Sequence, residues 1–361
     1  MNVKGKVKTL SIVVIWILVA GCSGDKEGTP GFFSGGAQSV DKRQIRDMPP
    51  ARDSVSMLDL DVFEFEDFFV YGNDIYLPGY KGTDGKILAI DKETLAPGHV
   101  IGREEGQGPG QIQGGYGVVT NGRVVFYSSG QRKIAVYDTS GTFITDVRTE
   151  VRPSSVVPLG NRFVVMSDVV PVEQEGRPQL FHVVDMDGNV VNRFGPSGRS
   201  SLERADNPMA YLGQMAVDSS GNYLYFGSYP EPLLKKYEIG GGQVFSVKTI
   251  DNLPSEVNYV SQAGGGRQMW SYTDHALFST EALAVFHDRL LVVPINDVQG
   301  NRLTYLDVYS AEDGSYVESY RMPNHVTGLA VDESNIYAKE KVSEGKFFLK
   351  VYENVLRGES R

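Results

Sequence analysis

A repeated pattern of short strands constrains the fold of this chain more than any other feature. Each repeat contains an apolar strand that usually ends in an acid, and a tight turn follows most of these strands. The three best-matched strands end at Asp91, Asp138 and Asp185, at successive intervals of 47 residues. Further copies occur at Lys236–Glu238, Leu306–Tyr309 and Leu349–Glu353. Upstream of each copy lies a hairpin with its own turn, at Gly72-Asn73, Asn121-Gly122, Gly160-Asn161, Ser220–Asn222, His287-Asp288 and Glu333-Ser334.

Four-stranded units repeated about six times are typical of the blades of a β-propeller. No segment shows a sustained 3.6-residue apolar period, so helices should be minor. The last repeat lacks a fourth strand, whereas Met57–Val62 alternates apolar and acidic residues before the first repeat. An N-terminal strand that completes the last blade would leave no open edge there. We therefore predict an all-β fold over residues 54–361: a six-bladed β-propeller of four-stranded blades, with the last blade closed by an N-terminal strand.

The N-terminus has the layout of a secretory signal. Lys4, Lys6 and Lys8 precede a short apolar run, Leu10–Ala20, which is too short to span a membrane. The run ends in Val-Ala-Gly-Cys at Cys22, a sequence that resembles the lipobox of bacterial lipoproteins. The resemblance implies that residues 1–21 are a signal peptide and that Cys22 is lipidated. The alternative is an uncleaved helix with an incidental cysteine.

The segment after the cysteine is rich in Gly, Ser, Pro and charged residues. We interpret residues 22–53 as a flexible tether that carries the lipidated cysteine. Because the formal net charge is −10, a nucleic-acid partner is not expected. The predicted partner is instead a membrane, reached through the lipid anchor. The expected location is the cell envelope, at the outer membrane on its periplasmic side or at the cell surface, and the expected state is a monomer.

Residues 101–112 carry the most specific local similarity. Their sequence, Ile-Gly-Arg-Glu-Glu-Gly-Gln-Gly-Pro-Gly-Gln-Ile, resembles a Gly-rich segment of six-bladed propeller lipoproteins of Bacteroidota, described as TolB-like or NHL-like. This chain departs from the usual G-R-E-G-Q-G-P-G-E pattern by a second glutamate, Glu105, and by Gln111 in place of an acid. The resemblance implies fold and location rather than an activity.

The familiar catalytic motifs are missing from the sequence. The glycines of residues 106–110 are not followed by the Lys-Ser or Lys-Thr of a P-loop, so a structural role for this loop is favoured. The five histidines show no zinc-binding spacing, and Asp274-His275 is an isolated pair. No Gly-x-Ser-x-Gly motif is present. No cofactor is predicted, although Glu, Asp and Asn from several blades could hold a divalent metal in the central channel.

Loop lengths indicate which face to search. In a four-stranded blade, the loops between the second and third strands and the crossings between blades lie together, on what we term the long-loop face. The long segments are 79–85, 102–115, 169–179, 195–210, 251–280 and 339–346. Long loops on a rigid scaffold are where binding residues usually collect. The candidate ligand-binding residues on this face are Arg103, Arg204, Arg267, Trp270, Tyr272 and His275.

Two functions remain open at the level of sequence. The first is a binding or scaffold module that takes a protein or small-molecule ligand on the long-loop face. The second is a metal-dependent hydrolase or lactonase-like enzyme with a polar central channel. Three or four convergent Asp, Glu or Asn side chains on the propeller axis would favour the enzyme, whereas an apolar or Arg-rich mouth with no such ring would favour binding.

Overall fold

The structure is a computed structural model of the chain. It describes residues 38–63, 67–83, 85–120, 122–167, 179–196, 212–229, 231–251, 257–260, 269–272, 279–294, 304–343 and 345–358, with the backbone alone at 257–260 and 269–272. The predicted signal peptide and Cys22 lie outside the described residues. In the described part, no helix is long and apolar enough to cross a membrane.

The described residues form six antiparallel blades. Two N-terminal strands come first, β1 (Ile45–Asp47) and β2 (Asp53–Ser56). Blade 1 comprises β3 (Phe69–Tyr71), β4 (Asp74–Pro78), β5 (Lys86–Asp91) and β6 (Pro97–Gly102). Blade 2 comprises β7 (Tyr116–Thr120), β8 (Arg123–Ser128), β9 (Lys133–Asp138) and β10 (Phe143–Arg148). Blade 3 comprises β11 (Pro153–Leu159), β12 (Arg162–Ser167), β13 (Gln179–Asp185) and β14 (Val190–Pro196).

The second half of the chain repeats this arrangement. Blade 4 comprises β15 (Gly213–Val217), β16 (Tyr223–Ser228), β17 (Leu233–Glu238) and β18 (Gln243–Lys248). A separate hairpin follows, β19 (Val257–Val260) and β20 (Met269–Tyr272). Blade 5 comprises β21 (Ala282–Phe286), β22 (Arg289–Val293), β23 (Thr304–Ser310) and β24 (Tyr316–Met322). Blade 6 comprises β25 (His325–Val331), β26 (Asn335–Ser343), β27 (Lys346–Glu353) and, at its outer edge, β2. Short 3₁₀ turns occur at Val40–Lys42, Leu58–Leu60 and Val355–Gly358.

The six blades close into a ring. The first strand of each blade contacts the first strand of the next, and β25 of blade 6 contacts β3 of blade 1. These first strands therefore surround a central channel. The second and third strands are buried on both faces between neighbouring blades, which explains continuous apolar runs such as Ile87–Ile90. The core thus lies between the blades and leaves the axis open.

The predicted closure of the last blade by an N-terminal strand is confirmed, but the position of that strand is corrected. The closing strand is β2, which pairs antiparallel with β27, with Asp53 opposite Val351. Residues 57–62, which had the alternating pattern of a strand, form a 3₁₀ turn followed by an isolated bridge. Met57 and Leu60 are buried in this turn, and Asp61 adopts a left-handed conformation. The alternation of apolar and acidic residues therefore reflects a 3₁₀ turn, in which buried Met57 and Leu60 are three residues apart, and not a strand.

The segment predicted as the end of the flexible tether is attached to the propeller. Residues 38–48, which we term the N-terminal strap, run along the outer edge of blade 5, where β1 pairs parallel with β24 as a fifth strand. The guanidinium of Arg43 lies 2.7 Å from the carboxylate of Asp307 and 2.9 Å from that of Asp251. The tether interpretation, predicted for residues 22–53, therefore does not describe residues 38–53. The sequence did not predict this attachment, because the strap has few apolar residues and is held by backbone pairing and an ion pair.

Candidate functional site

The Gly-rich loop of residues 106–110 is a structural crossing between blades 1 and 2. The ammonium group of Lys133 donates to the carbonyl oxygens of Gly108 and Gln111, at 2.7 and 2.9 Å. The backbone N–H of Gly108 donates to the Gln111 side chain, and that of Gly110 donates to Asp146. Since these N–H groups already have acceptors, they are not arranged to hold a phosphate. The structure thus supports the structural interpretation of this loop.

Arg103 helps to hold the same crossing in place. Its guanidinium donates to the carbonyl oxygen of Pro109 at 2.8 Å and stacks 5.1 Å from the centre of the Phe143 ring. Arg103 is not among the residues that line the central channel. These contacts describe a side chain that joins the crossing to the outer strand of blade 2.

The remaining predicted binding residues belong to segments 195–210 and 251–280 of the chain. Arg204, Arg267 and His275 lie outside the described residues. Trp270 and Tyr272 lie on β20, of which the backbone is described, and they pair with Tyr259 and Val257. The hairpin of β19 and β20 belongs to the crossing from blade 4 to blade 5. Crossings between blades are predicted from the sequence to lie on the long-loop face.

The central channel contains a cavity of about 710 Å³. Its wall comes largely from the first strands of the blades and presents polar and apolar surface in similar amounts, with Val119, Val156, Ala216, Val285 and Val331 among the apolar lining residues. A cavity of this volume has the size of small-molecule sites, which are concave and combine apolar wall with polar groups that orient the ligand. The channel is thus the principal cavity suited to a ligand in the described part of the chain.

Asp67, Gln214 and Lys339 line one end of this channel. Glu281 lies beside them: its carbonyl oxygen accepts a hydrogen bond from Gln214, and its carboxyl group interacts with the charges of Asp67 and Lys339. We term these four residues, which come from four blades, the channel mouth. Asp67 and Glu281 lie immediately before the first strands of blades 1 and 5, and Gln214 is near the start of the first strand of blade 4. First strands begin at the long-loop face. The channel mouth therefore opens on the face where the sequence predicted binding.

Lys339 reaches the channel from the second strand of blade 6. It pairs with Gly328 on the first strand, and the absent side chain of Gly328 leaves room for it. Its side chain is only 5% exposed, and its ammonium group lies 5.1 Å from the centre of the Phe347 ring. Residues 339–346 were predicted to be a loop, but β26 continues to Ser343 and β27 begins at Lys346. Lys339 is therefore a buried cation on a strand beside the channel, and not a loop residue.

The two carboxyl groups of the channel mouth titrate close to neutral pH. Burial raises the pKa of Asp67 to about 6, although Lys339 and a hydrogen bond from Gln214 act to lower it. Burial, and secondarily the charge of Asp67, raises the pKa of Glu281 to about 7, against the opposing effect of Lys339. The amide of Gln214 also donates to the Tyr229 hydroxyl at 2.8 Å and to the carbonyl oxygen of Glu281 at 3.2 Å. Perturbed carboxyl groups in a cleft are a physical indication of a functional site.

Aromatic side chains surround the polar groups. Phe63 is 51% exposed and Tyr116 is 44% exposed, although both line the cavity. Tyr116 stacks on Tyr127, with ring centres 5.6 Å apart. Large exposed rings around a cavity provide contact area that loses little conformational entropy on binding. The channel mouth therefore combines aromatic surface, hydrogen-bonding groups and charge.

The channel mouth lacks the donor set of a metal centre. Among the described residues, no three His, Cys, Asp or Glu side chains lie close enough to hold a metal ion. The two carboxyl groups share their surroundings with the ammonium group of Lys339, which opposes but does not cancel the rise in their pKa values caused by burial. Among the described residues, the mouth brings together two carboxyl groups, one amide and one ammonium group, and no third acidic or imidazole side chain lies close enough to complete a metal site.

Sequence reasoning did not identify the four residues of the channel mouth. Asp67 and Glu281 carry a weak signal, since each is an acid placed directly before the first strand of a repeat. Gln214 carries a similarly weak signal as a polar residue near the start of a first strand, whereas Lys339 carries none, because its orientation depends on the register of strands in blade 6. A search for polar residues at the start of each first strand would have found Asp67, Gln214 and Glu281.

Comparisons with known proteins support the fold. The chain is similar to a member of the DUF4221 family from Bacteroides vulgatus, with a TM-score of 0.58 and 9% identity over 84% of this chain and 97% of that one. It is also similar to a protein of Bacteroides fragilis that is named an exported protein, with a TM-score of 0.52 and 10% identity over 86% of this chain and 99% of that one. No family model matches the sequence. No curated protein matches it either. At these identities the similarity shows the fold alone.

Proposed function

We propose that this protein is an envelope-anchored binding module that takes a small-molecule ligand into the central channel through the channel mouth. One observation carries the proposal. Polar groups from four blades meet at one end of a cavity of about 710 Å³ whose wall also carries Val and Ala side chains. A rigid ring of blades gains no stability from such a cavity, since filling it with side chains would bury more apolar surface.

The location follows from the N-terminus and from the kind of protein that shares the fold. The basic segment, the short apolar run and Cys22 support export and lipidation. One of the similar solved structures is named an exported protein, which also favours export. The resemblance of residues 101–112 to TolB-like or NHL-like lipoproteins of Bacteroidota adds to this support. We infer attachment at the outer membrane by the lipid on Cys22.

The long-loop face provides further surface around the channel mouth. The hairpin that carries Trp270 and Tyr272 belongs to the crossing between blades 4 and 5. The segments that contain Arg204, Arg267 and His275 are predicted from the sequence to lie on the same face. These residues are proposed to contact the part of a ligand, or a protein partner, that extends beyond the channel. Arg103 is removed from this set because its described contacts are structural.

An uncharged, environment-sensitive dye tests the channel directly. Nile red should fluoresce more strongly when it enters the cavity, because the Val and Ala side chains of the wall are less polar than water. Ala216→Trp places an indole in the channel, whereas Val244→Trp places one on the exposed outer strand of blade 4. The proposal predicts that Ala216→Trp abolishes most of the enhancement and that Val244→Trp retains it. Equal enhancement in the two variants would refute the channel as the binding site.

A further inference from the structure

We propose that the channel mouth selects ligands that carry a primary ammonium group on an apolar body of aromatic size. This inference rests on the proposed function, since it names the ligand class of the same site. It is argued from the charges of Asp67, Glu281 and Lys339 and from the exposed aromatic rings of Phe63 and Tyr116.

The charges of the channel mouth do not balance without a further cation. Asp67 and Glu281 can carry two negative charges, and Lys339 supplies one positive charge. With both carboxyl groups ionised, the described groups of the mouth therefore have a net charge of −1. Burial makes that charge costly, so below about pH 7 one carboxyl group takes up a proton unless a second cation arrives. A ligand ammonium group would take the place of that proton.

The geometry favours an organic cation over a metal ion. A divalent metal would need several more oxygen donors and would repel the ammonium group of Lys339 at close range. Among the described residues the necessary third acidic or imidazole group is missing. A primary ammonium group needs fewer ligands, because it donates three hydrogen bonds. Carboxylates at Asp67 and Glu281 and the amide oxygen of Gln214 are acceptors of the required kind.

The geometry also disfavours an anion. An anionic group at the mouth would face two carboxyl groups with a single lysine between them, so its burial would force both carboxyl groups to protonate. The net charge of the whole chain, −10, adds a long-range field that attracts cations and repels anions. Both effects act in the same direction.

The remaining surface fits an apolar or aromatic body. Phe63 and Tyr116 present large exposed faces to the cavity. Aromatic faces attract cations through their quadrupole and also pack against flat rings. The channel wall also includes Val and Ala side chains such as Val156 and Ala216. An amine whose head group stays at the mouth can therefore place its apolar part against this wall.

Three indole compounds with the same ring and different head groups test the inference. Tryptamine carries an ammonium group, tryptophol a hydroxyl group and indole-3-acetate a carboxylate. Binding is measured by isothermal titration calorimetry near about pH 8, where the two carboxyl groups are ionised. Tryptamine should bind at least 10-fold more tightly than tryptophol, and indole-3-acetate should bind most weakly, because about 1.4 kcal/mol of extra charge interaction is a factor of ten.

Two charge-matched variants localise the effect. Asp67→Asn with Glu281→Gln should weaken tryptamine binding at least 10-fold and leave tryptophol binding within about 3-fold. Asp187→Asn with Glu312→Gln removes the same charge from exposed positions and should change tryptamine binding by less than about 2-fold. Retained Nile red fluorescence would show that the channel of the first variant is intact.

The outcomes separate this inference from the proposed function. If tryptophol binds as tightly as tryptamine and Ala216→Trp abolishes both, the channel binds ligands but does not select ammonium groups. If the exposed variant weakens tryptamine as much as the channel variant, the selectivity comes from the overall field and the inference is wrong. If Nile red enters the channel but no indole binds, the ligand class is wrong and the proposed function stands. If neither enters, both fail.

Discussion

The N-terminal strap is held to blade 5 by one buried arginine, and its replacement should release the strap. The side chain of Arg43 is 6% exposed and that of Asp307 is 1% exposed. Burial alone would lower the pKa of Arg43, but Asp307 and Asp251 outweigh that effect and raise it, so the guanidinium stays charged. The Tyr305 ring, 4.5 Å away, adds a cation–π contact. Arg43→Met removes the charge and keeps the length of the side chain.

The expected loss of strap stability in Arg43→Met depends on the carboxyl groups of Asp307 and Asp251, which remain after the substitution. Removing one member of a buried ion pair typically costs about 3–5 kcal/mol, because the other charge is left uncompensated. Burial already raises the pKa of Asp307 to about 7, so this carboxyl group can take up a proton when Arg43 is gone. The lower value, about 3 kcal/mol, is therefore the better expectation. It corresponds to a roughly 100-fold larger equilibrium constant for opening of the strap.

Hydrogen exchange of the Met48 backbone amide reports this opening, since its N–H donates to the carbonyl oxygen of Arg321 across the strap. Arg321→Met is the matched control, because its partner Asp47 is exposed and an exposed ion pair contributes less than about 1 kcal/mol. Exchange at Met48 should accelerate roughly 100-fold in Arg43→Met and less than about 5-fold in Arg321→Met. Equal acceleration in the two variants, or a change below about 5-fold in Arg43→Met, would refute the role of the ion pair.

Three further predictions concern the channel mouth, a turn and the anchor. Because the folded-state pKa values of Asp67 and Glu281 are raised from 3.8 and 4.5 to about 6 and about 7, their contribution to stability is present below about pH 4 and is lost as pH rises to about 7. The Asp67→Asn and Glu281→Gln double variant should therefore show a flatter dependence of the unfolding free energy on pH in urea titrations, and an unchanged slope would contradict this. Gly188→Ala should lower the unfolding free energy by about 3 kcal/mol or more, since its added Cβ would lie 1.8 Å from a backbone oxygen. Gly160 is also at positive φ but has no atom within 4 Å of an added Cβ, so Gly160→Ala should lower the unfolding free energy by about 1 kcal/mol in the same titrations. Similar values for the two variants would show that the close contact relaxes. Cys22→Ser should move the protein from the membrane to the soluble fraction on cell fractionation, and continued membrane association would exclude the lipid anchor.

The repeat was readable from the sequence because each blade needs the same local chemistry. The acid after the third strand accepts hydrogen bonds from the turn that follows it: the Asp138 carboxylate accepts the N–H groups of Ser140 and Thr142. Asp185 does the same for Asp187 and Asn189. These are interactions between near neighbours in the chain. The spacing of such acids therefore predicted the number of blades.

The channel mouth was not readable because its residues meet only in the closed ring. Asp67 and Lys339 are far apart in the chain, and their approach depends on β25 and β26 pairing with Gly328 opposite Lys339. A register shift next to this pair, between Val326 and Gly328, further changes which side chains face the axis. Such shifts leave no clear mark in one sequence. The attachment of the strap was missed for the same reason, since Arg43 meets Asp307 only across the folded chain.

A crystal structure of the protein with bound tryptamine tests the central claim most directly. The account predicts electron density for one tryptamine in the channel, with its nitrogen about 3 Å from the carboxylates of Asp67 and Glu281 and its indole against the wall near Ala216. Tryptamine bound elsewhere on the propeller while the channel holds only water would contradict the account. So would a tryptamine in the channel whose nitrogen points away from both carboxylates.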